Sequence, residues 1–247
     1  MGLPALVLVH GGGCAGDCWQ LTVDEIHRLE PELTVLAVDL PGRCSRPGDL
    51  RTLTVADFVE SAVTDVEDAG LGDVVVVGHS MGGLTVPGMV TKLGAARVRE
   101  MVIAAAFIPP EGQSLADALT GVFAGAARRR AKSSKRPDPM PAWQARLAFM
   151  NGTSSAQRQF MKGKLYSESP SVLAEAISRA GMPEEVPRTW ILTRRDRALS
   201  VESQHRSIEA LGGVQTLIEV DTCHMLMVSE PEWLAQRLIE RCRQYCR

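Results

Sequence analysis

The sequence predicts an α/β fold, a doubly wound and mostly parallel six-stranded sheet with helices on both faces and a helical insertion after the fourth strand. Three observations predict it. Short apolar runs, such as residues 5–10 (ALVLVH) and Val74–Val77, have the length and continuity of strands buried on both faces of a parallel sheet. Segments of helical periodicity separate these runs, and that alternation builds parallel sheets through crossover connections. The rhythm breaks once, over residues 109–187, where only helical pieces are legible. The chain thus divides into a core, residues 1–108 and 188–247, and an insertion, residues 109–187, expected as a cap over the carboxyl ends of the strands, where open α/β sheets bind ligands.

Taken in order, residues 5–10 form the first strand, and a glycine loop leads to a helix around Trp19, Leu21, Val23, Ile26 and Leu29, ended by Pro31. Residues 33–38 (LTVLAV) form the second strand, closing on Asp39 and the turn Pro41-Gly42. Thr54 can cap the next helix, with Asp57 three residues on in a near capping-box arrangement, and Gly70 ends it. The third strand is the valine run, and its helix over residues 81–93 stops at Gly94. Residues 101–107 (MVIAAAF) read as the fourth strand, ended by Pro109-Pro110. The insertion carries helical pieces around 114–127, 142–150, 154–166 and 169–180, and its stretch 128–141, basic and then Pro-rich, reads as a mobile loop. A strand at 189–193, a helix at 201–211, a strand at 214–220 and a helix at 231–243 complete the alternation.

Composition narrows the function classes. Apolar residues make up 45% of the 247, enough for a sizeable core, while the net charge of −2 gives no global attraction to nucleic acid or anionic membrane. No apolar run approaches the ~20 residues that span a bilayer. The opening MGLPALVLVHGGG has no basic residue ahead of its apolar run and no small-residue cleavage site, so a cytoplasmic location with six reduced cysteines is expected. Cys14 and Cys18, like Cys242 and Cys246, are spaced unlike zinc ligands, and no metal is expected.

The chemistry centres on Gly78-His79-Ser80-Met81-Gly82, a G-x-S-x-G pattern between a strand and a helix. Such a turn strains the serine backbone, requires small neighbours two residues either side, and aims the hydroxyl at the positive end of the helix. A serine hydroxyl needs a base to take its proton, usually a histidine oriented by a carboxylate. Among five histidines, His27 and His205 fall on helices that read as exposed, and His79 adjoins the serine with its side chain expected to point away. His224, in the loop after the last strand, is the candidate base. Asp196, just past the fifth strand, is the candidate carboxylate, with Asp221 as rival. An oxyanion needs two donors, assigned to the backbone N–H groups of Met81 and Gly12, with Gly13 second.

Gly11, Gly13 and Gly16 also match G-x-G-x-x-G after a strand, with Asp39 ending the next one, which on paper is a dinucleotide fingerprint. It leaves Ser80, Asp196 and His224 unexplained, and its third glycine precedes the helix. The basic residues Arg128, Arg129, Arg130, Lys132, Lys135 and Arg136 read as a solvated loop, with attraction of an anionic ligand as the alternative. Phe123, Trp143, Phe149, Phe160 and Tyr166 are either core of the insertion or wall of a pocket.

Jointly, His10-Gly11-Gly12-Gly13, the GHSMGG stretch, a late Asp and a late His make the chain resemble the α/β-hydrolase superfamily over nearly its full length. More narrowly, with Trp19 in the first loop and Cys223-His224-Met225-Leu226-Met227 near the end, it resembles the compact six-stranded branch of plant methylesterases, hydroxynitrile lyases and their bacterial relatives. Cyanohydrin-cleaving members carry Thr after the first-loop His and Lys after the catalytic His; Gly11 and Met225 stand there in this chain, so the resemblance implies the esterase pattern. The expectation is a serine hydrolase, without cofactor or metal, cleaving an ester or thioester of a small apolar substrate. The alternatives are a lyase, cyclase or C–C bond-forming enzyme of bacterial secondary metabolism on the same residues, and a ligand receptor on the same scaffold. The partner expected is that small molecule, with no nucleic acid and no membrane, and a homodimer stays open.

Overall fold

The computed structural model describes residues 2–43, 45–119, 124–132 and 139–246. Six strands, β1 (Ala5–Val9), β2 (Val35–Val38), β3 (Val74–His79), β4 (Val98–Ala104), β5 (Arg188–Thr193) and β6 (Thr216–Val220), form one sheet. Every pairing is parallel, in the order β2-β1-β3-β4-β5-β6. The direction of winding reverses between β1 and β3, which leaves a crevice beyond their carboxyl ends.

Strand periodicity sends alternate side chains to opposite faces. Val7, Val9, Val74 and Val76 bury against α2 (Val55–Asp68) and α3 (Gly82–Leu93) on one side. Leu6, Leu8, Val75 and Val77 bury against α1 (Gln20–Leu29) and α11 (Pro231–Arg243) on the other. The expected capping box is present: the Thr54 hydroxyl accepts from the Asp57 N–H, and the Asp57 carboxylate accepts from the Thr54 N–H. Among the described residues no helix is long and apolar enough to cross a membrane.

Several expected boundaries need correction. A 3-10 turn at Gly16–Trp19 precedes α1. β4 begins three residues earlier than the apolar run suggests, because the charges of Arg99 and Glu100 are paired within the fold. Arg99 reaches Asp73 at 2.6 Å, and fully buried Glu100 receives Arg241 Nε from α11 at 2.9 Å. The strand stops at Ala104 because Ala105 turns into the left-handed region with φ 44°. Residues 128–131, read as part of a mobile loop, instead belong to α5 (Ala124–Ala131).

Between β4 and β5 the described residues form short helices: α4 (Leu115–Ala118), α5, α6 (Ala142–Phe149), α7 (Ser155–Phe160) and α8 (Pro170–Ala174). α4, α7 and α8 are shorter than the pieces the sequence suggests, and α6 ends one residue early. After β5 come α9 (Val201–Ala210), then β6, then a four-residue α10 (Leu226–Ser229) ahead of α11.

Candidate active site

Register brings the first loop to the serine. Val9 pairs with Gly78, so continuing both strands by two residues sets Gly11 beside Ser80. A Cβ on Gly11 would lie 2.8 Å from the Ser80 Cβ, closer than real side chains approach. Ser80 itself takes φ 51°, the strained left-handed conformation expected of a sharp strand-to-helix turn. The turn is pinned by the Ser80 N–H, which donates to the Ala104 carbonyl at 3.1 Å, and by the Ser80 carbonyl, which accepts from Gly83 at 3.0 Å and Phe107 at 3.1 Å. Gly82 is small because a Cβ there would meet the Val9 carbonyl oxygen at 2.8 Å.

At the other side of the crevice, Thr193 pairs with Val220 at the ends of β5 and β6. The loops that follow carry Asp196 and His224 toward Ser80. His224 Nε2 lies 2.9 Å from Ser80 Oγ, and His224 Nδ1 lies 2.6 Å from Asp196 Oδ2. A carboxylate only accepts, so Nδ1 carries the proton and the Nε2 lone pair receives the serine hydroxyl. Asp196 is fixed in turn: Oδ1 accepts from the N–H groups of Ala198 (2.8 Å) and Leu199 (2.7 Å), and Oδ2 from the Thr193 hydroxyl (3.0 Å). The rival Asp221 stays at the surface, 70% exposed and paired with Arg195.

The residues chosen as oxyanion donors also meet here. Met81 follows Ser80 at the N-terminal end of α3, and Gly12 packs so closely on the Met81 sulfur that a Cβ would overlap it. Among the described residues, no hydrogen bond engages the N–H of Gly12 or of Met81. The second choice, Gly13, is already committed, since its N–H donates to Glu168 Oε2 at 3.1 Å. The dinucleotide reading does not fit: the Asp39 carboxylate accepts from the Gly16 N–H at 2.8 Å and from the Ser45 hydroxyl at 2.9 Å, which closes the loop on itself.

Two histidines back the site. The His79 Nε2–H donates to the His224 carbonyl at 2.9 Å. The His79 ring centroid sits 4.8 Å from that of His224. Burial first, then neighbouring His224, pushes the His79 pKa well below the ordinary histidine range. His10 donates from Nδ1 to the Gly11 carbonyl (2.9 Å) and accepts the Leu40 N–H at Nε2 (3.2 Å). Burial, followed by the Arg43 guanidinium, lowers its pKa to about 4. Both are therefore neutral supports at pH 7.

Ser80, His224, Gly12 and Met81 open onto a cavity of about 520 Å³. Phe149 lines it with its ring 5.2 Å from that of His224, and Trp143 and Tyr166 also line it. Phe160 packs under the Lys164 ammonium instead, 4.9 Å from its ring centroid. Arg128 caps α4, with Nε 3.1 Å from the Ala116 carbonyl, while Arg129 and Lys132 are exposed. Phe123, Lys135, Arg136 and the side chain of Arg130 lie outside the described residues. Sequence reasoning missed Phe107, Arg43 and Glu168 at this site; Phe107 reads as the end of the fourth strand but lies beyond it, and Arg43 and Glu168 stand in stretches with no local pattern to mark them.

Comparison with known proteins gives the same family. The chain is 31% identical over 113 residues to a carbendazim hydrolyzing esterase of Nocardioides sp. (strain SG-4G), a match covering 44% of each protein. The chain thus spans less than half the length of that relative. It is 22% identical to Methylesterase 18 of Arabidopsis thaliana over 260 residues, covering 95% of each. An extracellular alpha/beta-hydrolase from a Paenibacillus species superposes with a TM-score of 0.81 at 23% identity, covering 96% of this chain and 98% of that one. With the alpha/beta hydrolase family model matching residues 6–237, the chain belongs to the alpha/beta hydrolase family.

Proposed function

We propose that this protein is a serine hydrolase that cleaves carboxylic esters, thioesters included, of small, uncharged, apolar substrates. The observation that carries the reading is the hydrogen-bonded chain Ser80–His224–Asp196, at 2.9 and 2.6 Å, opening beside the N–H groups of Gly12 and Met81. In the proposed reaction Ser80 Oγ attacks the substrate carbonyl as His224 Nε2 takes its proton. The tetrahedral oxyanion settles between the Gly12 and Met81 N–H groups, each worth ~3–4 kcal/mol in the transition state. The resulting imidazolium gives its proton to the leaving alcohol or thiol. Water, deprotonated by the same nitrogen, then releases the acid from the acyl-enzyme. Asp196 holds the imidazole tautomer throughout.

The pocket supports an apolar substrate. Met81, Met140, Met150, Met161 and Met225 line it, and flexible thioether side chains adapt to substrates of varied shape. Among the described residues that line it, Glu168 is the one carboxylate and is paired with Arg43, and no lysine or arginine stands there to meet an anionic acyl group. We assign residues 109–187 the part of a cap, since this stretch supplies much of the pocket lining. The relatives named as esterases support the same class of reaction. Turnover of p-nitrophenyl butyrate tests it. Wild type should hydrolyse the ester, and Ser80→Ala should lose ~10⁴-fold or more in kcat; a Ser80→Ala variant as fast as wild type would refute the assignment.

A further inference from the structure

The Gly12–Cys14 stretch is held from two sides. From the insertion, the Tyr166 N–H donates to the Gly13 carbonyl at 2.8 Å, and Glu168 Oε2 accepts the Gly13 N–H at 3.1 Å. From the loop after β2, Arg43 Nε donates to the Cys14 carbonyl at 2.9 Å. The two side chains meet: Arg43 Nη2 lies 2.5 Å from that same Glu168 Oε2. Glu168 Oε1 is occupied by the Ser169 N–H at 2.8 Å, so the carboxylate cannot swing away without losing three donors. The Arg43 side chain is fully buried and that of Glu168 is 10% exposed.

A run of three glycines has no conformational preference of its own. Left free, Gly11–Gly13 would spread the Gly12 N–H over many directions, and an oxyanion donor works only when aimed in advance. A buried ion pair adds little net stability over an apolar pair of the same shape, so stability alone does not account for this one. Fixing one backbone conformation does.

We propose that Arg43 and Glu168 are positioning residues that clamp the Gly12–Cys14 loop and so aim the Gly12 N–H at the oxyanion. Glu168 supplies the acceptor for Gly13. Arg43 holds Cys14 and cancels a negative charge that would otherwise oppose the developing oxyanion. Because Tyr166 and Glu168 belong to the insertion, the clamp ties the state of that segment to the competence of the catalytic loop. The proposal rests on the ester-hydrolase reading above.

Two double variants isolate the acceptor without leaving a buried charge. Arg43→Met with Glu168→Leu removes it, and Arg43→Met with Glu168→Gln restores an amide oxygen for the Gly13 N–H. With p-nitrophenyl butyrate, the Leu variant should lose about 30- to 100-fold in kcat, the scale of a small misplacement of a catalytic group. Its KM should stay within about 3-fold of wild type, because a donor used only in the transition state does not hold the ground state. The Gln variant should run at least about 10-fold faster than the Leu variant, the difference being the restored acceptor. Equal kcat in the two variants, or wild-type kcat in the Leu variant, would overturn the clamp. Should the Leu variant fail to fold, Glu168→Asp keeps the charge but withdraws the carboxylate by one methylene. The same kcat-selective loss is then expected, and wild-type kcat contradicts the proposal. A wild type inert toward esters removes the ester reading and this proposal together; an active wild type with indifferent variants removes only the clamp.

Discussion

Two aspartates stand in the loops after β5 and β6, and their surroundings separate them. The Asp196 side chain is completely buried, accepts three hydrogen bonds from its own loop and strand, and faces His224 Nδ1. Asp221 is 70% exposed. A carboxylate that fixes an imidazole tautomer acts through that geometry, and replacing it by an amide stabilises the wrong tautomer. Asp196→Asn should therefore lower kcat by about 10³- to 10⁴-fold. Asp221→Asn should leave steady-state kinetics as they are. Comparable losses in the two variants would show that the orienting carboxylate is misassigned. The proposed triad residues were legible because each follows a strand directly or in a short loop, and because the histidine is one of only five in the chain. Glu168 and Arg43 were not, because they meet each other and the backbone of the first loop across long stretches of sequence, and no spacing rule reaches such contacts.

The element that governs the rest is the β3–Ser80–α3 turn. Its strain is sustained by close packing of β1, β3 and α3, which the glycines permit. A Cβ on Gly82 would meet two backbone oxygens, of Val9 at 2.8 Å and of His10 at 3.1 Å, and neither can move without shifting the end of β1 and the loop that carries Gly12. Gly82→Ala should thus cost about 1–3 kcal/mol of stability by urea unfolding and lower kcat substantially. Gly72→Ala, where a Cβ meets nothing within 4 Å, serves as the contrast and should leave kcat unaltered. A Gly82→Ala enzyme with wild-type kcat would mean that the turn tolerates displacement. At this scale the sequence marks the buried strands well, since unbroken valine runs are unambiguous. It marks β4 poorly, because Arg99 and Glu100 find ion-pair partners in Asp73 and Arg241 that only the tertiary structure supplies.

For the whole molecule, two buried histidines make stability fall as the pH drops. His10 and His79 are buried neutral at the centre of the fold, whereas in the unfolded chain each titrates near 6.5. Below that pH the unfolded state binds more protons, so the unfolding free energy falls as pH drops. The stability these groups contribute is complete above about pH 6.5, and for His10 it is lost progressively down to about pH 4. Between pH 7 and pH 5 the His10 contribution alone amounts to about 2 kcal/mol, and His79 adds in the same direction. Urea unfolding at the two pH values measures the loss, and equal stability at both would contradict the buried neutral assignment.

The same global view explains the insertion. Its helices are short, their packing on the core sets their limits, and periodicity over four to eight residues carries little information. What the sequence did mark was that the alternation stopped there. The central claim, a nucleophilic Ser80 activated by His224, is tested most directly by a fluorophosphonate probe with peptide mapping by mass spectrometry. The account predicts one covalent adduct, on Ser80, that forms in wild type and fails to form at a comparable rate in His224→Ala. An adduct on another residue, or none in folded wild-type protein, would contradict it.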